Sequence, residues 1–419
     1  MRCTWQLTIG LLAIISFVVW TYRDDAGQGY PEFNNPTDDQ TNFFGGHKKV
    51  NNFVTNQVTR EKIIQNRFES MRFNMSEACQ SKSVYQVYPS LGSIKQRNLY
   101  YDYKHNFVYC MVEKIGSKFW RRVFHLLNHP EYRNLYSIPS DVIRNEEVPT
   151  LRYVSVQNAT KIIESANKVM FVREPYARAF SGYVDKLYSL NYYYMQTLGR
   201  PIIKGLRSNA NSASLACGHD LTFVEFIRYI VAMKQRHRQS SIDVHFSQIY
   251  AHCLPCELKY DYIGTMENFD EDASFLISKL QLFKDVPVDH ELSKNASVTV
   301  SIYMVINDTF SQRPKFAHCM TWADMVRRAW RTLQIRGLID PKAAVPTSTN
   351  VSIETLYHEA VKVSDPSRVS EYKRKSMVDT YRTLDIQLLE KFREYVLPDC
   401  KLFGYDDRPS SIFDRPFIY

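Results

Sequence analysis

The sequence predicts an α/β domain in which a parallel sheet is flanked by helices. Two observations carry this reading: apolar runs of strand length at 107–112, 168–172 and 260–264, and a helical apolar pattern after each. A third supports it, because 44% hydrophobic and 23% charged residues is the balance of a folded globular chain. At 419 residues there is room for one large domain plus appended segments. Only 14 glycines and 17 prolines exclude a collagen-like or linker-like chain. The net charge of +9 calls for an anionic partner. Nucleic acid, anionic lipid, nucleotide phosphates and acidic polysaccharide all satisfy it until location is considered.

The first element is Trp5–Tyr22, an apolar run without a charge. As a helix it would be ~27 Å long, enough for a single transmembrane helix in a thin bilayer. Trp5, Trp20 and Tyr22 stand at its ends, where amphipathic rings favour the interface. A cleaved signal peptide is the alternative, but its cut follows small residues, and Val18, Val19, Trp20 and Tyr22 occupy that place. Arg2 precedes the run, and Arg23, Asp24 and Asp25 follow it. The charge bias favours a cytoplasmic tail at 1–4, a signal anchor at 5–22 and a lumenal body. Residues 23–95, rich in Asn, Asp, Gln and Ser, read as a solvated stem, with the folded domain at 96–419.

Five glycosylation sequons, at Asn74, Asn158, Asn295, Asn307 and Asn350, agree with a lumenal body. Seven of the eight cysteines lie beyond the anchor, and in an oxidising lumen an odd number leaves at least one free. Nucleic acid is then not an expected partner.

Within the body, Phe107–Val112 reads as a buried strand, followed by a helix with Trp120, Val123, Phe124 and Leu127 on one face. Lys168–Val172 is the second strand, and the helix after it aligns Phe180, Val184 and Leu187. A third helix opens with the capping-box pair Thr222 and Glu225. Residues 260–264 form a further strand and 273–280 a further helix. Residues 189–218 and 284–315 show no clear period and read as surface loops or acceptor-facing insertions. Residues 352–396 are helical.

Two constellations carry chemistry. The first runs from strand into helix through Lys114, Ile115, Gly116, Ser117, Lys118, Phe119 and Trp120. Glycine lets the backbone approach an anion, and the free N–H groups of the helix's first turn point at it. The spacing is not that of an NTP-hydrolysing P-loop, and no Mg²⁺-holding partner is evident. An ordinary strand-to-helix turn with a solvated lysine has the same pattern. The second constellation is Arg173, Glu174, Pro175, Tyr176, Ala177, Arg178 and Ser181. An arginine at a strand end and a helix-borne serine can converge on one phosphate, the arginine as a bidentate fork. For Arg178 and Lys186 a solvated helix face is the alternative, favoured for Lys186.

Together these motifs resemble the 5′- and 3′-phosphosulfate-binding motifs of sulfotransferases. The resemblance is to the Golgi carbohydrate sulfotransferases of the HNK-1 and chondroitin/dermatan 4-O-sulfotransferase group. The matching residues are Cys110 to Lys114, Trp120 to Arg122 and Phe171 to Tyr183. Two further blocks extend the likeness: His245 to Gly264, with Cys253, Cys256 and a following Glu267, and Leu402 to Tyr405. The sequence departs from the family where a proline before the lysine is Glu113, and where Cys-Thr-Asn is Ser117, Lys118 and Phe119. An acid beside the cradle opposes anion binding, which Lys118 offsets.

The resemblance implies a P-loop-like sulfotransferase fold in a Golgi membrane protein. It implies sulfuryl transfer from 3′-phosphoadenosine 5′-phosphosulfate (PAPS) to a sugar hydroxyl of a glycan or glycosaminoglycan, without metal. Lys114 would stabilise the leaving oxygen, and Gly116, Ser117 and Lys118 would hold the 5′-phosphate. Arg173 and Ser181 would hold the 3′-phosphate. His245 would be the general base, with Glu267 in reserve. Read from the residues themselves, Cys253 and Cys256 lack a second ligand pair for zinc and serve structural disulfides, and Cys110, in the central strand, is the free thiol. N-acetylgalactosamine 4-O-sulfation of chondroitin or dermatan is the first acceptor reading; terminal glucuronate or galactose sulfation is the other. A catalytically inactive lectin-like or scaffolding protein is the rival of another class. A nucleotide kinase would need the Walker-type loop that is missing.

Overall fold

A computed structural model describes residues 48–80, 98–129, 148–282, 290–346 and 351–414, with a few isolated residues between 130 and 147. The chain divides into two units, Met1–Gln57 and Val58–Tyr419, and the second holds every element below except the first residues of α1. The expected tail and anchor lie outside the described residues. Among those described, no helix is long and apolar enough to cross a membrane.

The longer elements, in chain order, begin with α1 (Lys48–Gln80), β1 (Leu99–Asp102), β2 (Phe107–Cys110), α2 (Ser117–Asn128) and α3 (Val156–Ser165). They continue with β3 (Asn167–Val172), α4 (Pro175–Tyr183), α5 (Phe223–Gln235), β4 (Tyr262–Thr265) and α6 (Phe269–Lys279). The last five are α7 (His290–Phe316), α8 (Trp322–Ile335), α9 (Ile353–Lys362), α10 (Val369–Tyr381) and α11 (Ile386–Phe403).

The sheet has the order β1-β2-β3-β4: β1 pairs antiparallel with β2, and β2, β3 and β4 run parallel. Strands β2 and β3 are apolar on both faces because helices cover both. On α2 the expected face is inward: Trp120 stacks on Tyr109 at 4.6 Å and Phe124 meets Phe107 at 5.2 Å. Thr222 and Glu225 form both bonds of the capping box that opens α5. A second core joins α4, α5 and α11, and a third joins α7, α8 and α9.

Three expectations are corrected. The stem reading fails over the later part of α1, where Ile64, Phe68 and Met75 are buried in the sheet's core. Phe68 stacks on Phe275 at 5.5 Å, and Arg67 reaches Asp272 at 2.5 Å. Ile64, Phe68, Met71, Met75 and Ala78 make a narrow i, i+4, i+3 stripe in a polar sequence, which is enough for one buried face. The expected loops at 189–218 and 284–315 are instead largely helical: short helices over 192–217, and α7, whose Val298, Ile302, Val305 and Ile306 pack against α8 and α9.

The third correction concerns the thiols. Cys110 is paired with Cys253, while Cys79 pairs with Cys256 and Cys217 with Cys319. The free cysteine is Cys400, buried on α11. Cys110 ends β2, and the short helix Tyr250–Cys253 packs across that strand end, bringing the sulfurs together. Of the sequons, Asn74 and Asn158 are exposed and Asn307 is half-buried. Thr309, which completes the Asn307 sequon, is buried with its hydroxyl on the Val305 carbonyl. Asn350 and the side chain of Asn295 lie outside the described residues.

Candidate functional site

The site gathers at the carboxyl ends of β2, β3 and β4, where an open parallel sheet presents its binding crevice. After β2 the chain turns through two left-handed residues, Lys114 at φ 69° and Gly116 at φ 66°. A Cβ on Gly116 would lie 2.5 Å from Cε2 of Phe269, so both the φ and the space demand glycine. Gly116 caps α2 without a side-chain hydrogen bond. The first-turn N–H groups of that helix therefore have no side-chain acceptor from the cap, the arrangement that an anion can use.

The other helix start is different. Glu174 caps α4 with its own carboxylate, accepting from the N–H groups of Tyr176 at 3.0 Å and Ala177 at 2.5 Å. Burial pushes the Glu174 carboxyl up to about 7, against these bonds. Tyr176 is fully buried, its hydroxyl on the Asp407 carbonyl, and Pro175 occupies the first turn. Of the two expected cradles, the first-turn amides of α2 receive no side-chain cap and those of α4 are taken by Glu174.

The arginines after β3 brace the first motif. Arg173 donates from Nη1 to the Lys114 carbonyl at 3.0 Å, and Arg178 from Nε to the Glu113 carbonyl at 3.2 Å. Arg178 also donates to the carbonyls of Val244, at 3.0 Å, and Ser247. It is thus neither a solvated helix residue nor free for a ligand. Asp399 on α11 holds the same loop by accepting from the N–H groups of Ile249 and Tyr250.

That loop carries His245. Its Nδ1 lies 2.7 Å from Asp243 and 3.1 Å from the Tyr194 hydroxyl, and its Nε2 lies 3.9 Å from Glu113. Glu113 also accepts from Ser117 Oγ at 3.0 Å and pairs with Arg121 at 3.0 Å. Burial raises the Glu113 carboxyl, but Arg121, His245, Ser117 and Lys114 outweigh it and hold the carboxyl below its usual range. Gly182 permits α4 to approach this loop; a Cβ there would meet the His245 carbonyl at 2.8 Å.

Lys114 turns into a cluster that the sequence did not announce. Its Nζ sits 2.9 Å from Asp185, which also binds Arg336 at 2.5 Å and Lys186 at 3.3 Å. Asp185 lies in a π-turn, Val184–Tyr188, that continues α4. Burial lowers the Lys114 ammonium to about 8, with Asp185 opposing the fall. Lys373 on α10 joins from the other side: the Arg173 guanidinium, then burial, then Lys114 and Arg336 push it well below the lysine range.

A model of the sulfotransferase family matches residues 97–312. The chain belongs to the sulfotransferase family. Human carbohydrate sulfotransferase 8 is 29% identical over 219 residues, 49% of this chain and 48% of its own length. Rat carbohydrate sulfotransferase 11 is 30% identical over 187 residues, 43% of this chain and 52% of its own. Zebrafish carbohydrate sulfotransferase 14 is 27% identical over 227 residues, 54% and 59% respectively. The chain spans about half the length of the curated relatives it matches. No solved structure matches.

In this sulfotransferase-family chain the structure brings Lys114, Ser117, Arg173 and His245 to one crevice, with Glu113 between Lys114 and His245. Ser181 is half-buried on α4, and Lys118 is exposed on α2. Glu267 stands apart from His245: its oxygens accept from the Glu174 N–H at 3.1 Å and the Tyr405 hydroxyl at 2.9 Å. Ile115 and Trp120 are core, and Phe119 packs on Phe269. Sequence reading missed Asp185, Lys186, Arg336 and Lys373. Lys186 sat in a helical pattern where solvation was the simpler reading, and Arg336 and Lys373 come from helices with no motif.

Proposed function

We propose that the chain transfers a sulfuryl group from PAPS to a sugar hydroxyl of a glycan, with N-acetylgalactosamine O4 of chondroitin or dermatan as the finer assignment. The observation that carries it is the uncapped start of α2 beside Lys114, Arg173, Lys186 and Arg336, a cluster of cations that suits a multiply anionic donor. The chemistry of these residues fits PAPS: the amides of α2, with Ser117 and Lys118, would hold its 5′-phosphosulfate, and Arg173, with Ser181, its 3′-phosphate. When bound, the donor supplies the sulfuryl group.

The chain's own residues do the rest. His245 takes the proton of the acceptor hydroxyl at Nε2, while Asp243 on Nδ1 fixes the ring and steadies the imidazolium. Lys114 meets the charge that develops on the leaving phosphate oxygen. Glu267, engaged by Glu174 and Tyr405, acts as a brace for Arg173's surroundings rather than as a base. The three disulfides among the described residues support an oxidising lumen, and hence the reading of a single-pass Golgi protein held by residues 5–22 with its body lumenal.

The experiment is transfer of labelled sulfate from PAPS to desulfated chondroitin, paired with calorimetry of adenosine 3′,5′-bisphosphate. Lys114→Ala should lower turnover at least ~100-fold while nucleotide affinity changes much less, because the charge matters most in the transition state. Nucleotide binding with no transfer to any glycan would make the chain a binding protein instead.

A further inference from the structure

A groove of about 790 Å³ runs between α8 and α10, floored by Tyr183, Leu221 and Phe223. Its walls carry Tyr188, Arg328, Arg331, Ser376, Thr380 and Thr383. A smaller cavity of about 310 Å³ shares Tyr188 and Arg328. Together they have the size of a ligand site, roughly 300–1,000 Å³, rather than of a packing defect.

Three elements run from the candidate site to the groove. On α10, Lys373, Ser376 and Thr380 fall at i, i+3 and i+7, one stripe that leaves the cationic cluster and becomes the groove wall. On α8, Ile335 lines the groove and the next residue, Arg336, binds Asp185, which binds Lys114. The π-turn does the same, with Asp185 in the cluster and Tyr188 in the groove.

Its chemistry selects an occupant. Three hydroxyls line one wall, and Tyr188 offers a ring over which the Arg328 guanidinium lies at 4.8 Å. The acids of the groove have cation partners: Asp220 pairs with Arg207, outside its lining, at 2.6 Å and Asp379 with Lys375 at 2.6 Å. Among the described residues, neither Arg328 nor Arg331 forms an ion pair, although the Asp220 charge reaches Arg328; Arg328 donates to the Tyr188 carbonyl and Arg331 to Gln334. Hydroxyls, an aromatic face and two unpaired guanidinium groups match a carboxylate-bearing sugar chain. Both helices lie beyond residue 312, outside the family match.

We infer that this groove is an acceptor exosite for an extended anionic saccharide, binding uronate-type carboxylates several sugar units from the reacting hydroxyl. It rests on the reading of the chain as a glycan sulfotransferase and adds where, and by which charge, the acceptor chain is held.

The test measures direct binding of an unsulfated chondroitin hexasaccharide by calorimetry, with the same hexasaccharide carboxyl-reduced as the neutral probe. Arg331 is exposed, so Arg331→Glu should fold normally; Thr380→Trp fills the groove without changing charge. Each should weaken hexasaccharide binding at least tenfold, and the carboxyl-reduced probe should bind wild type at least tenfold more weakly than its parent. Affinity for adenosine 3′,5′-bisphosphate should stay within twofold in both variants. Wild-type affinity for the hexasaccharide in both variants, or equal affinity of wild type for the two probes, overturns the inference. Since the readout is acceptor binding, that failure leaves donor binding and transfer to be judged separately.

Discussion

Replacing Asp185 by Asn separates Lys114's charge from its packing, because the side chain keeps its shape and loses only its anion. At 2.9 Å, the Lys114–Asp185 attraction is about 6 kcal/mol at an effective dielectric of ~20. Asp185 is shared with Arg336 and Lys186, so only part of this acts on Lys114. A fall of about 1–2 pH units in the Lys114 ionisation is the expected share, or about 1.4–2.7 kcal/mol. Wild-type Lys114 loses its proton near 8. If its ammonium is what stabilises the leaving oxygen, kcat/KM should decline as pH rises through about 8, and in Asp185→Asn that decline should move to about 6–7. The assay is the initial rate of labelled sulfate transfer across pH 5.5–9.5. An alkaline limb that stays in place in a folded variant would refute Lys114 as the titrating group. Stability has the opposite sign. Lys114 titrates below its usual 10.5, so its burial costs stability at neutral pH, and the cost fades as pH rises from about 8 toward 10.5. Asp185 is held well below its usual range by Lys114, Arg336, Lys186 and Lys118, although burial opposes them. Its contribution is present above the ordinary carboxylate range and lost as pH falls through the folded value, so Asp185→Asn should lower the melting temperature at pH 7.

Arg178→Ala leaves the carbonyls of Glu113, Val244 and Ser247 without their donor, and at about 1–3 kcal/mol for each buried group it should cost at least 3 kcal/mol in urea unfolding. A variant with wild-type stability would return Arg178 to ligand binding. Arg67→Ala strips the partner from Asp272, which is 1% exposed and accepts from the Thr265 N–H, and should cost about 3–5 kcal/mol; a solvated stem would show no loss. His245→Ala should depress turnover, preserve acceptor binding and abolish the acidic limb of the wild-type pH profile. An unchanged profile would place the base elsewhere.

The sheet was readable because its strands carry continuous apolar runs and each following helix keeps its period. The placement of Lys114, Gly116 and Arg173 was legible for the same reason: they stand where a strand end meets a helix start. Arg178 was misread because a guanidinium spaced for a helix face gives no hint that three carbonyls from other segments await it. The core face of α1 was hidden by composition, since Ile64, Phe68 and Met75 are few among many polar residues. The pairing of Cys110 with Cys253 depends on a contact between segments 143 residues apart, which no spacing rule encodes. Arg336 and Lys373 were invisible in the same way.

The acids of the crevice follow from its cations. Lys114, Lys186 and Arg336 brought together in a half-buried site would repel one another and lose hydration, so a folded ligand-free chain needs an internal counter-ion. Asp185 fills that role for all three. Glu113 does the same for Arg121 and stands within reach of His245, while Glu267 and Glu174 favour the charge on Arg173. Lys373 is the residue left over. The Arg173 guanidinium is the largest influence on it and, with burial, disfavours its charged form. An anion entering there would oppose that repulsion, whereas near Asp185 it must compete with a carboxylate already in place. For the proposed donor, a phosphate at the Lys373–Arg173 flank would restore the ammonium that Arg173 and burial disfavour, whereas one on the Lys114–Asp185 side would compete with an existing ion pair.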